Sequence, residues 1–253
     1  RGVGGAIVTA YKAAIADGVD IVVKIDGDGQ MNPALLHHFV RPLLRGEADY
    51  TKGNRFFRPE SVQGMPPVRL FGNAVLSFMT KLSCGYWNIM DPTNGYTAAR
   101  TCVLAELPLD KLEQRYFFET DMLFRLNTVR AVVKDVPMDA VYADEESHLK
   151  VGKVLPEFLR KHASRLWRRY VYSYLVRDFN VGSVYSLVGL VLLTFGLFFG
   201  LYGWISGVQH AAPATSGTVM LAALPVIVGI QCWIAFLHHD VSNVPTEPLS
   251  GLL

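Results

Sequence analysis

Asp20-Ile-Val-Val-Lys-Ile-Asp-Gly-Asp-Gly-Gln30 is a short β-branched run that breaks off into an acidic turn spaced by glycines. A run of this length suits a strand buried in a parallel sheet. Ligands of open α/β sheets bind just beyond the carboxyl ends of the strands, so the acidic cluster stands where a site is expected. Asp26, Asp28 and Gln30 alternate, and in extended geometry their side chains project to one side, gathering hard oxygen ligands. A divalent cation held there, Mg²⁺ or Mn²⁺, would act as a Lewis acid on a diphosphate leaving group. A solvated acidic turn explains the same three residues. An EF-hand does not, because Gly29 is one position early and no Glu closes a twelve-residue loop.

Upstream of this stretch, Gly2, Gly4 and Gly5 read as a turn, and Ala6 to Asp17 as a helix with Gly18 at its C-cap. Downstream, Asn32-Pro33 opens a helix through about Leu44. Asp49-Tyr-Thr-Lys-Gly-Asn-Arg55 is a second strand leading into a Pro- and Gly-rich loop over 56–67. Val68 to Leu82 has helical spacing, Asp91-Pro-Thr-Asn-Gly-Tyr96 is turn chemistry, Phe117 to Leu126 is helical, and Val129 to Val141 reads as one or two strands. Such alternation specifies an α/β fold. The chain opens as though in the middle of an α/β unit, so an upstream nucleotide-binding strand is expected to be missing, and Arg1 to Ala14 has no signal-peptide pattern.

The 253-residue chain is 51% hydrophobic and its formal charge is only +2, which argues against a nucleic-acid partner. Its mean hydropathy of +0.24 is high for a soluble enzyme. The excess is local: from Phe179 to His239 there is no Asp, Glu, Lys or Arg. Two apolar spans, about Val184 to Tyr202 and Val219 to Leu237, each approach the ~20 residues that cross a hydrocarbon core. Before them, Lys150, Lys153, Arg160, Lys161, Arg165, Arg168, Arg169 and Arg177 alternate with Leu, Phe, Trp and Tyr, as in an amphipathic helix on an anionic membrane face. That basic flank places the amino-terminal domain in the cytoplasm. The expected organisation is a catalytic domain over 1–150, a juxtamembrane segment over 151–180, a transmembrane hairpin over 181–240 and a tail over 241–253. Cys84, Cys102 and Cys232 have neither disulfide-framework nor zinc spacing.

Together, Asp26-Gly-Asp-Gly-Gln30, Lys52-Gly-Asn-Arg55, Arg69-Leu-Phe-Gly-Asn73, Asp91-Pro-Thr-Asn-Gly-Tyr96, Phe118-Glu-Thr-Asp-Met-Leu123 and Tyr142-Ala-Asp-Glu-Glu-Ser147 resemble glycosyltransferase family two in order and spacing. The branch they resemble is that of the dolichyl- and polyprenyl-phosphate mannose synthases, and the likeness covers about residues 1 to 150. It implies a GT-A, Rossmann-like domain that takes a nucleotide-sugar donor and a polyprenyl phosphate acceptor at the membrane. It also implies that Asp26, Asp28 and Gln30 hold Mg²⁺ or Mn²⁺ with the donor diphosphate, Asp28 being catalytic. Arg55 and Arg69 would bind phosphate, with Ser147 and Lys150 on the donor side, and Asn73, Asp91 and Asn94 would shape the acceptor pocket. Where that branch has a basic residue after the serine, this chain has His148, and Asn73 stands where a Ser is usual.

A lipid phosphate is already ionised, so its transfer needs a positioned nucleophile and a stabilised leaving group. A sugar-hydroxyl or glycolipid acceptor would instead need a base, the role that the resemblance gives to Glu119 and Asp121. Both carboxylates also suit the first turn of a helix, where they complement the dipole. A non-catalytic membrane interaction protein is the third class, opposed by the intact Asp26, Asp28, Gln30 and Arg55. The hairpin leaves room for a homo-oligomer, which nothing in the sequence specifies.

Overall fold

The computed structural model describes residues 2–27, 29, 31–58, 67–139 and 151–253, with the side chains of 67–69 and 151–154 outside the description. Two compact units emerge: 1–169 together with Val244–Leu253, and Tyr170–Asn243.

The first unit is built on a sheet of β1 (Ile21–Lys24), β2 (Tyr50–Asn54), β3 (Thr97–Arg100) and β4 (Val133–Pro137), in spatial order β1-β3-β2-β4. β3 runs antiparallel to both β1 and β2, and β2 runs parallel to β4. β1, β2 and β4 therefore share one direction and end at one edge. The α/β expectation holds, with a correction: β1 pairs antiparallel with β3 and is half-buried along its length rather than enclosed in a parallel sheet. The sequence gives little sign of β3, because Thr97-Ala-Ala-Arg100 has weak strand propensity. Position decides it: β3 fits between two strands, and its alanines let helices approach both faces.

One face packs against α1 (Val3–Ala16), α4 (Thr101–Ala105) and α5 (Phe118–Thr128), in a core that includes Ile7, Tyr11, Tyr50, Ala99, Val103, Leu104, Met122 and Val133. The other faces α2 (Leu36–Leu44), through Phe39, Leu43, Tyr96, Ala98, Val132 and Val136. Alternation explains the division, since Ala98 and Ala99, like Val132 and Val133, point to opposite sides. Phe39 is fully buried and stacks on Tyr96 with centroids 3.9 Å apart. Burying such a side chain contributes about 1.5–3 kcal/mol.

α1 begins earlier than its glycines suggest. Gly4 and Gly5 lie inside its first turn, where a Cβ on Gly4 would fall 2.3 Å from the Glu113 carbonyl oxygen, so these glycines serve packing. Gly18 does end the helix, at φ +69°. The Asn32-Pro33 start is also observed: Asn32 Oδ1 accepts from the Ala34 amide at 3.0 Å ahead of α2. α3 spans Pro67–Cys84.

α6 (Val151–Tyr170) carries the basic run, but much of that run turns inward. Arg165 Nε donates to Asp121 Oδ1 at 2.6 Å, and its Nη2 reaches Glu113 Oε1 at 3.2 Å. Lys161 bonds Glu113 at 2.9 Å, and Arg169 bonds the Leu82 carbonyl at 2.8 Å. These three cations thus dock α6 on the α/β unit instead of facing a membrane. Leu155, Leu159, Arg160, Trp167 and Arg168 occupy the exposed side.

The C-terminal tail belongs to the same unit. The fully buried Asp49 carboxylate accepts from the amides of Val132 (2.7 Å), Leu249 (2.8 Å) and Ser250 (2.8 Å), while Val244 and Leu249 pack against the core.

In the second unit, a seven-residue π-helical segment, Val171–Arg177, precedes α7 (Val181–Gln209) and α8 (Ser216–Ser242). Each of these two helices is long and apolar enough to cross a membrane, with a mean hydropathy of 2.2 over its best window. They extend past both ends of the expected spans, and the turn between them is only 210–215. Their backbones meet where side chains are small: a Cβ on Gly189 would lie 3.1 Å from the Gly229 carbonyl oxygen, and one on Gly196 2.8 Å from that of Ala222. At the base, Asn180 forms a capping box with Ser183, and Tyr174 Oη donates to Asp240 Oδ1 at 2.5 Å.

Candidate active site

The common edge of β1, β2 and β4 gathers the residues singled out in the sequence. One register row crosses the sheet just beneath it: Lys24 pairs with Thr97, Thr97 with Lys52, and Lys52 with Asp135. Paired residues in a sheet project to the same face, so this row forms a polar floor.

Asp26 follows β1. Its Oδ1 lies 3.3 Å from Lys24 Nζ, and its Oδ2 is set against Gly95, where a Cβ would fall only 1.9 Å away. Only glycine lets the backbone of the 91–96 turn approach the carboxylate this closely. The acidic turn and the Asp91-Pro-Thr-Asn-Gly-Tyr96 segment, 65 residues farther on by the spacing of Asp26 and Asp91, are thus brought into contact. Asp28 and Gln30 lie outside the described residues. Among the described residues no three acidic, histidine or cysteine side chains converge on one point, so Asp26 is the one described member of the expected metal set. Its chemistry suits a hard cation: a carboxylate at a strand end with its side chain 36% exposed, in a cradle that a side chain would fill.

Glu119 and Asp121 have different surroundings. Glu119, in the first turn of α5, accepts from Lys24 Nζ at 3.0 Å beside Asp26. Asp121 is fully buried, and its two oxygens accept from the Glu113 amide (3.1 Å), Arg125 Nε (3.1 Å) and Arg165 Nε (2.6 Å). The structure therefore brings Glu119 to the site and commits Asp121 to holding α6. Two residues apart on a helix, they project in directions about 200° apart, as the ~100° per residue of a 3.6-residue turn requires.

Arg55 closes β2 and grips the buried Asp91 in a fork, with Nε to Oδ2 at 2.7 Å and Nη2 to Oδ1 at 3.0 Å. Its amide also donates to Asp91 Oδ2 at 3.2 Å. Asn94 is buried and caps the turn, its Oδ1 accepting from the Tyr96 amide at 2.9 Å. Asn73 is half-buried on α3. Arg69 is on the same helix with its side chain outside the description, and Ser147 and Lys150 are outside it as well.

Lys24 and Lys52 are the site residues that sequence reasoning missed. Both stand in short strands, where a lysine resembles a surface residue. Lys52 Nζ donates to the Asn94 carbonyl, its side chain is buried, and burial pushes its ammonium down to about 8 despite the nearby Glu119 and Asp91 carboxylates. Asp135 ends the row, accepting from Asn54 Nδ2 and the Met90 amide at 2.9 Å each, and burial pushes its carboxyl up to about 6. A cavity of about 380 Å³ opens toward α2, lined in part by Leu35, His38, Phe57, Val136 and Met138; of the row it reaches Asp135, and its lining includes none of Lys24, Asp26, Lys52, Arg55 or Glu119.

Residues 1–107 match the family model "Glycosyl transferase family 2". A UDP-N-acetylglucosamine--dolichyl-phosphate N-acetylglucosaminyltransferase of Methanococcus voltae is 31% identical over 144 residues, covering 57% of each chain. An undecaprenyl-phosphate mannosyltransferase of Micrococcus luteus is 28% identical over 141 residues, covering 55% of this chain and 57% of the relative. The matched region thus spans little more than half the length of these relatives. Among solved structures, glucosyl-3-phosphoglycerate synthase from Mycobacterium tuberculosis aligns with a TM-score of 0.46 at 22% identity, covering 66% of this chain and 55% of that one. Residues 1–107 are therefore similar to the family 2 glycosyl transferases over somewhat less than half of the chain.

Proposed function

We propose that the protein transfers a sugar from a nucleotide-sugar donor to a polyprenyl phosphate, with a divalent metal and inversion at the anomeric carbon, from a catalytic domain on the cytoplasmic membrane face. The relatives named above supply the substrate class: one is named for a dolichyl phosphate acceptor and one for undecaprenyl phosphate. Two helices with the length and composition of membrane spans suit an enzyme that works on a lipid.

The observation that carries the choice of acceptor is the Lys24–Glu119 pair. The Lys24 ammonium already occupies the Glu119 carboxylate at 3.0 Å, and Asp121 is fully engaged elsewhere, so neither stands open to a hydroxyl acceptor. A phosphate acceptor needs no base. Its oxygen attacks the anomeric carbon as the bond to the nucleoside diphosphate breaks, leaving a sugar phosphodiester. Asp26, with Asp28 and Gln30, would hold Mg²⁺ or Mn²⁺, which neutralises charge on the departing diphosphate. Arg55, oriented by Asp91, presents a planar cation suited to phosphate oxygens, and Arg69 is assigned the same role. Asn73, Asp91 and Asn94 shape the acceptor side, and Ser147 and Lys150 the donor side. A hydroxyl acceptor remains the second reading, with Glu119 as base once Lys24 releases it.

An acceptor panel tests this reading. The full-length protein in membranes is given radiolabelled nucleotide sugars and either polyprenyl phosphate or glycolipid acceptors. Label entering the phosphate lipid supports the proposal, and label entering only the hydroxyl acceptors rejects it.

A further inference from the structure

Lys24 occupies an unusual place for a strand lysine. Its side chain is 10% exposed, and its ammonium lies 3.0 Å from Glu119 Oε1 and 3.3 Å from Asp26 Oδ1. Both carboxylates touch the same nitrogen, so their oxygens lie within reach of a single ion. The ammonium thus sits where a divalent cation bridging Asp26 and Glu119 would sit. Glu119 is itself only 19% exposed and is held at the site by the first turn of α5, so water alone would solvate it poorly.

We propose that Lys24 is a positioning residue of the transfer site: by binding Glu119 it keeps that carboxylate off the metal and leaves Asp26 to act with its own motif. The inference rests on the metal-dependent reading of Asp26. Without the ammonium, two adjacent carboxylates face each other, and among the described residues the buried Lys52, whose ammonium is committed to the Asn94 carbonyl, is the cation left near Glu119, so a divalent cation is the strongest partner for both. Such a cation would be bound more tightly but drawn toward α5, away from the diphosphate it must serve. Removing Lys24 therefore has a signature that ordinary structural damage lacks, namely tighter metal binding together with slower transfer.

The test is a Mn²⁺ titration of the full-length protein in lipid nanodiscs without donor, read from the spectrum of free Mn²⁺, alongside steady-state transfer kinetics. Lys24→Met is expected to bind Mn²⁺ about tenfold tighter than wild type. Its kcat should fall about tenfold or more, with donor KM changed less than about threefold. Lys24→Arg keeps the cation and should restore both values. Adding Glu119→Gln to Lys24→Met should return Mn²⁺ affinity toward wild type. Lys24→Gln takes the place of Lys24→Met if the latter fails to give a wild-type circular dichroism spectrum. Folded Lys24 variants that bind Mn²⁺ no tighter than an active, Mn²⁺-binding wild type overturn this inference alone. A wild type that transfers sugar yet binds no Mn²⁺, even with donor present, overturns the metal reading and the inference with it.

Discussion

Arg55 and Asp91 are held together by two parallel bonds of 2.7 and 3.0 Å, with the carboxylate fully buried and the guanidinium 28% exposed. The buried partner fixes the exposed one. Asp91 itself is unavailable to a ligand, so its part in an acceptor pocket is to aim Arg55. Arg55→Lys cannot reproduce the fork, and kcat/KM for polyprenyl phosphate should fall about tenfold or more, mainly through KM. Asp91→Asn should give the same kinetic pattern. Unchanged acceptor KM in both variants would remove Arg55 from the phosphate site.

Glu119 and Asp121 should separate cleanly on substitution. Asp121→Asn strips the charge from a fully buried ion-pair cluster and should cost about 3 kcal/mol of stability, with earlier proteolysis of α6. Glu119→Gln should leave the melting temperature nearly unchanged. With a phosphate acceptor its kcat should stay within about tenfold of wild type, whereas a general base would cost about 10²–10⁴. Rates measured at saturating donor distinguish the two.

The docking of α6 should weaken in mild acid. His162 is buried against Phe117, bonds Ser83 Oγ through Nδ1 at 2.9 Å, and is pushed by burial down to about 4. Its folded value lies below the unfolded value of about 6.5, so the unfolded chain binds more protons between the two. The stability it contributes is complete above pH 6.5 and is lost as pH falls through 4. Asp135, raised to about 6, acts in the opposite sense, its contribution being lost as pH rises from its unfolded value toward 6. Comparison with His162→Leu isolates the histidine: the melting-temperature advantage of wild type over the variant should shrink from pH 7 to pH 4. A constant difference would contradict the assignment.

The bonds from Leu249 and Ser250 to Asp49 hold the segment after α8 in the same unit as the sheet. A chain that leaves this unit, crosses a membrane and returns to it must cross an even number of times. In sealed vesicles, a membrane-impermeant maleimide should label Thr246→Cys and the native, exposed Cys102 from one side. A cysteine placed at Ala212, in the turn between α7 and α8, should react only from the other. Labelling of Thr246→Cys and Ala212→Cys from the same side would exclude the hairpin.

Much of the fold was legible because β-branched runs and helical spacing act locally. Ile21–Lys24, Tyr50–Asn54, Val133–Pro137 and the helices α2, α3 and α5 lie close to where those patterns put them. β3 was not legible, since Thr97-Ala-Ala-Arg100 becomes a strand through its neighbours rather than its own propensity. The inward turn of α6 was hidden for a related reason. A basic amphipathic helix is equally a membrane surface or a docking face until the acids opposite it, Glu113 and Asp121, are located. At the site, the acidic turn marked Asp26 and the family resemblance pointed to Arg55, Asp91 and Glu119, but neither told which of them touch. Lys24 and Lys52 escaped notice because their burial depends on strands and a helix that are distant in sequence.

The central claim is the identity of the acceptor. Purified full-length protein should be incubated with polyprenyl phosphate, Mn²⁺ and each of a panel of nucleotide sugars, and the lipid fraction analysed by mass spectrometry beside Asp26→Asn and Asp28→Asn. The account predicts one donor yielding a polyprenyl monophosphate sugar, formed by wild type and lost in both variants. A wild-type enzyme that binds donor and glycosylates a hydroxyl acceptor, yet forms no phosphate-linked lipid from any sugar in the panel, would contradict it.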